Sequence, residues 1–351
     1  MKLKQDHKGG HLMFVIKEVL IEAEKQELIA FLHRHNMEYE HDITYSIFVY
    51  DVDRVIATAS LANNVMKCFL VIDDYKQQNV TNIMFHHLVN VLAEHGVDHY
   101  FVYTLPRNEA VFTSLNMTKI VETMNTVLLE GGRRIQDVLA QLKAQYHVSD
   151  KKKAAVIVNA NPMTNGHLHL IETAARENDE VLVFVVSEDL SSFPFADRFA
   201  IIQKATAHLK QVTVLPTLSY LVSRITFPKY FLKEDQLIQD EQTLVDVLVY
   251  KEYYTKMFNI NRRYLGEEPF SYNTAKYNQV LKDHLGNHIR IIPRKTFKNK
   301  AISASMVRKL IKAGKIEKIR DYVPQATFDY LSGESGKAVI EMIRSHTLGR
   351  H

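Results

Sequence analysis

The sequence predicts an α/β protein whose front third is a mixed α+β domain and whose remainder is built on a parallel sheet with helices between its strands. Three observations carry this. Short apolar runs at 154–158, 180–186 and 212–215 alternate with helical patterns, the order expected of a parallel sheet. The first of these runs, Ala154–Val158, is valine-rich and almost unbroken, as a strand buried on both faces should be. Before residue 131 the pattern changes: strands follow one another closely, and Asp51 and Asp53 between two of them suit a hairpin turn.

In chain order, FVIKEVL at 14–20 reads as a strand, and the helix after it carries Leu28, Ile29, Phe31 and Leu32. Residues 43–50, 55–61 and 67–72 read as three further strands. A helix is expected over 82–95 with Ile83, Leu88, Val89 and Leu92 on one face, then a strand at 100–103, and the phrase NEAVFTSLNMTKI leads into a last one. Gly131 and Gly132 mark a boundary, which gives a front domain of 1–130. Ile135, Val138, Leu139 and Leu142 form a connecting helix within a linker of 131–153, and Lys151–Lys153 read as a solvated flank whose charge could at most steer an anion. The back domain is 154–351.

Its first strand ends at a polar turn. Asn159, Asn161 and Pro162 break the run, Thr164 or Asn165 can cap the next helix, and Leu168, Ile171, Ala174 and Ala175 recur at helical spacing. In an open parallel sheet the ligand crevice lies beyond the carboxyl ends of the strands. A helix start placed there aims free N–H groups and the positive end of its dipole at whatever binds, which favours phosphate. Gly166 removes a side chain where backbone must approach closely, and His167 adds a donor that can be cationic.

A second segment has the same logic. In ISASMVR, 302–308, Ser303 or Ser305 can cap a helix that continues through Val307, Leu310 and Ile311 and stops at Gly314, while Arg308, one turn in, can reach a phosphate with a bidentate fork. Between the two segments, Phe195–Arg198 open a helix carrying Phe199, Ile202 and Ala205. An aromatic-rich stretch at 217–280 includes TFPKYF, a Tyr264–Gly266 strand ending in a glycine turn, and a crowd of Glu267, Glu268, Asn273, Thr274 and Tyr277.

TNGH at 164–167 resembles the T/HxGH signature of the nucleotidylyltransferase superfamily, and ISASMVR is similar to its ISSTxxR signature. That resemblance implies a Rossmann-like back domain and attack at the α-phosphate of a nucleoside triphosphate. Arg198 matches by position a basic residue often near the nucleotide there, and reads equally as a first-turn surface arginine. The front domain resembles a GNAT-type acyltransferase fold. Its phosphate-wrapping loop would fall at Lys76–Thr81, KQQNVT, which has no glycine, so coenzyme A binding is expected to be weak or absent. NPMTNGH, TFPKYF, RYLGEEP, NTAKYN and IPRK before ISASMVR together resemble the citrate lyase ligase family, over nearly the whole chain and most strongly from 154 to 311.

That family resemblance implies acyl adenylation. ATP and acetate give acetyl adenylate and pyrophosphate, and the acetyl group passes to a phosphopantetheine-like thiol on the citrate lyase acyl carrier protein, which activates citrate lyase. Thr164, His167 and Arg308 are then the catalytic candidates. Asn161, Pro162, Met163, Gly166, Gly266, Ser303 and Ser305 are the nucleotide-binding ones, with Lys300 as helper and the Gly266 turn beside the adenosine. Mg²⁺ would bridge the phosphates. Arg263 and Arg294 could serve the acetate carboxylate. Two alternatives remain open from sequence: AMP transfer to a phosphomonoester such as phosphopantetheine or nicotinamide mononucleotide, and a regulatory protein that binds nucleotide without turnover.

Composition narrows the rest. At 351 residues with 46% hydrophobic content, two domains are expected. A net charge of +4, with neither a basic block nor interleaved aromatics, gives no case for nucleic acid. The single cysteine, Cys68, reads as a small core residue and suits a reducing compartment. No apolar run approaches the roughly 20 residues that span a bilayer, and residues 1–12 lack an apolar signal core, so a cytoplasmic protein without membrane attachment is expected. Among the 17 histidines, His167 and His169, like His33 and His35, are two apart and diverge on a helix, and no paired cysteines exist. No structural metal is expected.

Overall fold

Two sheets organise the chain. The computed structural model describes residues 14–189, 191–221, 235–267, 272–298 and 300–345; TFPKYF and Glu268 lie outside them. The described parts of Met1–Val138 and Arg224–Val245 form one unit, and those of Leu139–Ser223 and Asp246–His351 form the other.

The first unit runs β1 (Phe14–Glu18), α1 (Glu22–Arg34), β2 (Tyr45–Asp51), β3 (Arg54–Ala62), β4 (Val65–Val71), α2 (Val80–Glu94), β5 (His99–Thr104), α3 (Glu109–Thr113), β6 (Thr118–Glu122), β7 (Val127–Gly132) and the first residues of α4 (Ile135–Gln145). Its seven strands lie in the order β1-β2-β3-β4-β5-β7-β6. All neighbours are antiparallel except β4 and β5, which pair in parallel at Val65–Phe101 and Met66–Val102. This is the GNAT-like α+β arrangement expected from the order of elements. Leu28, Phe31 and Leu32 of α1 and Met84, Phe85, Leu88 and Leu92 of α2 fill the core against the sheet, with Cys68 fully buried among them. The KQQNVT segment leads from β4 into α2 through Asn79 in a left-handed conformation (φ 60°), with no glycine.

One strand is expected after Met117, and the structure has two. The signal that hid β7 is its glycine pair, which reads as a turn but lies in the strand opposite Tyr100 and His99. A Cβ at Gly131 would collide with the Tyr100 ring, and one at Gly132 with the Asp98 carbonyl. Close packing, not a boundary, requires these glycines.

The second unit runs β8 (Lys153–Val158), α5 (Asn165–Glu177), β9 (Val181–Val185), α6 (Phe195–Thr206), β10 (Val212–Pro216), the last residues of α7 (Asp235–Val249), α8 (Thr255–Met257), β11 (Ile260–Gly266), α9 (Tyr272–Leu285), β12 (Ile289–Ile292), the short hairpin strands β13 (Thr296–Phe297) and β14 (Lys300–Ala301), α10 (Ala304–Lys312), α11 (Gln325–Ser332) and α12 (Lys337–Ser345). Five strands form an all-parallel sheet in the order β10-β9-β8-β11-β12. Ala154, Ala155 and Val156 in central β8 are fully buried, as a strand covered on both faces requires. The direction of the chain across the sheet reverses between β8 and β11, and a crevice opens at such a point beyond the carboxyl ends.

Two expectations are corrected. Lys153 is not a solvated flank: it begins β8 and is 1% exposed, its ammonium donating to the Ser149 carbonyl at 2.6 Å and lying 3.5 Å from Glu180. Because the lysine run is at the amino end of β8, it is at the wrong end of the strand to steer a ligand to the crevice. The start of α7, placed by sequence in the back domain, groups with the first unit, where Glu241 accepts from the Thr123 hydroxyl and from Asn125 Nδ2 (2.9 Å). No helix among the described residues is long and apolar enough to cross a membrane.

Candidate active site

The turn after β8 folds into α5 through a reciprocal cap. Thr164, 1% exposed, takes an extended conformation, and its hydroxyl accepts the His167 N–H at 3.4 Å. In return His167 Nδ1 accepts the Thr164 N–H at 3.0 Å. A ring nitrogen that accepts a backbone N–H carries no proton, so the neutral imidazole holds its hydrogen on Nε2 and presents a donor. Burial, with the Arg294 guanidinium as second cause, holds the His167 pKa down to about 4. At neutral pH the residue is therefore an uncharged, oriented donor.

Two neighbouring N–H groups have acceptors of their own. That of Asn165 goes to the Tyr322 carbonyl (2.8 Å) and that of Leu168 to the Thr164 carbonyl (3.0 Å). Gly166 is not in a left-handed conformation, and a Cβ there would make only ordinary contacts, with Thr164 Oγ1 at 3.4 Å and the Ile302 carbonyl at 3.5 Å. Its lack of a side chain thus answers no demand of the protein's own packing and keeps the surface over the helix start clear.

Ile302 already belongs to the second signature, 136 positions on, and the two do meet. Ser303 caps α10, its hydroxyl accepting the Met306 N–H at 3.2 Å, while Ser305 lies exposed in the first turn. Arg308 Nη1 donates to the Asn161 carbonyl, and Nη2 to Ser305 Oγ at 3.3 Å. Burial lowers the Arg308 pKa from its ordinary value, which leaves an arginine charged at neutral pH.

Asn161, Pro162 and Met163 lead from β8 to the Thr164 cap across a cis Asn161–Pro162 bond, with Met163 buried in the core. Asn161 Oδ1 accepts the Phe193 N–H (3.2 Å), and the Met163 carbonyl accepts the Thr327 hydroxyl (3.1 Å). Gly266 ends β11, beside β8, and a Cβ on it would meet nothing within 4 Å. Glu267 follows, its carbonyl accepting from Arg294 Nε at 2.8 Å. Lys300 lies in β14, exposed, just before Ser303.

The two carboxylate candidates separate. Arg294 is close enough to His167 to act on its charge, whereas Arg263 is buried in β11, donating from Nη2 to the Tyr277 hydroxyl (3.0 Å) and lying over the Tyr250 ring at 4.5 Å. Arg198 is neither a surface residue nor a nucleotide contact. It is 1% exposed, and its guanidinium donates to the carbonyls of Phe193 (2.9 Å), Asn159 (3.1 Å), Val186 (2.7 Å) and Glu188 (2.7 Å) and to Asn159 Oδ1 (3.0 Å). It fixes the loops after β8 and β9 from below. Periodicity could have found it: position 198 is one residue from Phe199 and four from Ile202, close to the buried face of α6.

A parallel sheet whose strand order reverses beneath two capped helix starts, with an imidazole donor and a guanidinium brought to the same end, defines a nucleotidylyltransferase-type α/β domain. Residues 153–331 match the family model described as the citrate lyase ligase C-terminal domain. Along the chain, a [citrate [pro-3S]-lyase] ligase of Escherichia coli K12 is 30% identical over 87% of this chain and 89% of its own length. One from Haemophilus influenzae is 32% identical over 90% and 97%. The chain belongs to the citrate lyase ligase family. A phosphopantetheine adenylyltransferase of Shouchella clausii is 31% identical over 18% of this chain and 41% of its own. Among solved structures, a Francisella tularensis bifunctional NMN adenylyltransferase/ADP ribose pyrophosphatase covers 54% of this chain and 52% of its own at 20% identity and a TM-score of 0.33. The ribosomal-protein-S18-alanine N-acetyltransferase of Escherichia coli covers 34% and 94% at 14% identity and a TM-score of 0.29.

Proposed function

We propose that the chain joins acetate to the thiol of the citrate lyase acyl carrier protein in two steps at this site, using ATP. In the first, an acetate oxygen attacks the α-phosphorus, the bond to the bridging oxygen of the β-phosphate breaks, and pyrophosphate leaves. In the second, the carrier thiol attacks the acetyl carbonyl and loses its proton, and AMP leaves. The first step needs orientation and neutralisation of developing charge rather than covalent help from the protein.

His167 donates from Nε2 to an α-phosphate oxygen, and Thr164 holds the ring in that tautomer. The Gly166 surface lets the phosphates lie against the helix start, and Asn161, Pro162 and Met163 wall them in. Arg308, Ser303 and Ser305 hold the departing β- and γ-phosphates, with Lys300 in reserve. Gly266 leaves room for the adenosine, and Arg294 is placed to meet the acetate carboxylate. Among the described residues no group of three or more His, Cys, Asp or Glu side chains could hold a metal ion. Mg²⁺ entering with the triphosphate would supply neutralising charge at the phosphates.

The observation that supports this reading most directly is the bond from Arg308 to the Asn161 carbonyl, which closes the two signatures on one place. The deciding measurement is pyrophosphate release from ATP with acetate, with phosphopantetheine or with nicotinamide mononucleotide, followed by acetyl transfer to thiol-form carrier protein. Release with acetate alone is expected. Release with a phosphomonoester instead would make the chain an adenylyl transferase, and none with any acceptor would leave only nucleotide binding.

A further inference from the structure

From Arg290 to Arg320 the chain has eleven lysines and arginines against one carboxylate, Glu317. The whole chain has 44 against 40, so everything outside this window stands at 33 against 39. The bases are never more than two in a row, so no consecutive block marks them, and the small net charge of the whole chain conceals them.

Helix α10 shows how. Ser305, Arg308, Lys309 and Lys312 fall at i, i+3, i+4 and i+7, on one face. Ser305 and Arg308 are at the site, and the lysines continue the face away from it, over about 10 Å of helix. The 3₁₀ turn Ile316–Ile319 packs against α10 and adds Lys315 and Lys318. On the other side of Ser303, the β13–β14 hairpin adds Lys295, Lys298 and Lys300. Lys295, Lys298, Lys300, Lys309, Lys315 and Lys318 are exposed and have no carboxylate partner among the described residues.

Such a cluster repels itself and is held at a cost in stability unless something anionic uses it. A triphosphate meets only its near end, at Arg308. Stacking platforms for nucleic-acid bases are not offered: the Phe297 ring packs edge-on against Tyr322 at 5.3 Å. We propose that this lysine face is the docking surface for an acidic face of the protein that presents the acceptor thiol. This rests on the ligase reading above and names how its macromolecular substrate is recognised.

The test is the triple variant Lys309→Glu, Lys315→Glu, Lys318→Glu, all exposed positions outside the proposed reaction machinery. The KM for thiol-form carrier protein should rise at least tenfold with kcat at saturation within twofold, and kcat/KM for the carrier should lose much of its dependence on salt. Acetate-dependent exchange of pyrophosphate into ATP should stay within twofold, as should transfer to free pantetheine. The corresponding triple glutamine variant should give an intermediate KM. An unchanged carrier KM, exchange falling in step with transfer, or a wild-type dimer dispersed by the variant would each overturn the proposal. Binding of dye-labelled carrier, read by anisotropy without turnover, separates this failure from failure of the ligase reading itself.

Discussion

His167 shows how much chemistry one backbone bond can fix. Burial keeps the ring neutral, and because Nδ1 accepts the Thr164 N–H its proton is held on Nε2. His167→Ala should therefore lower adenylate formation by about 10²–10³, the usual loss when one aligned donor to a transition state is removed, with the melting temperature nearly unchanged. Near-normal turnover would remove His167 from the chemistry. The pH dependence has a definite sign. An unfolded histidine takes up a proton below its ordinary 6.5, whereas folded His167 does so only near 4. This residue thus costs stability progressively as pH falls from 6.5 to 4, and adds no ionisation near 6.5 to the acid limb of turnover. Denaturant midpoints measured over that range should fall less steeply in His167→Gln, which has no proton to gain. The helix cap at Thr164 was legible because its spacing is local. Arg198 was not: whether an arginine in the first turn of a helix faces water or four backbone carbonyls depends on loops 5 to 39 residues away in sequence.

At the scale of elements, what could be read was what carries its own punctuation. Helix α10 begins and ends where its serine and glycine say: Ser303 is the cap, and Gly314, at φ 71°, follows the last turn. Ser303→Ala should cost about 1 kcal/mol of stability through the lost cap, and raise the KM for ATP by freeing the helix start proposed to hold the β- and γ-phosphates. Thermal unfolding and nucleotide saturation would measure the two effects separately. Strand β7 escaped reading because two glycines demanded by the Tyr100 ring and the Asp98 carbonyl look like a turn. Strand β12 is only Ile289–Ile292, too short for periodicity to identify, and pairs with β11 just at Arg263–Gly266.

At the scale of the molecule, the alternation of strands and helices after residue 154 gave the parallel sheet, and the run of strands before 131 gave the other fold. Charge is uneven in a way the totals conceal, since a chain nearly balanced overall holds a segment with eleven bases to one acid. In the first unit, the segment after β4 has the place of a phosphate-wrapping loop without its glycines. Lys76, Gln77 and Gln78 can be changed to alanine without disturbing Asn79, whose φ of 60° an alanine would strain, or buried Val80. Acetyl transfer by that triple variant should remain within twofold of the parent in the coupled ATP, acetate and carrier assay. A large loss would give the first unit a part in the reaction.

The bonds from Asn165 to the Tyr322 carbonyl and from Thr327 to the Met163 carbonyl give the closing stretch of the second unit a duty beyond its own helices. It braces a turn laid down more than 150 residues earlier. A chain cut after Arg320 keeps both phosphate signatures intact, yet its amides at 163–167 should exchange hydrogen for deuterium far faster and its affinity for ATP should collapse.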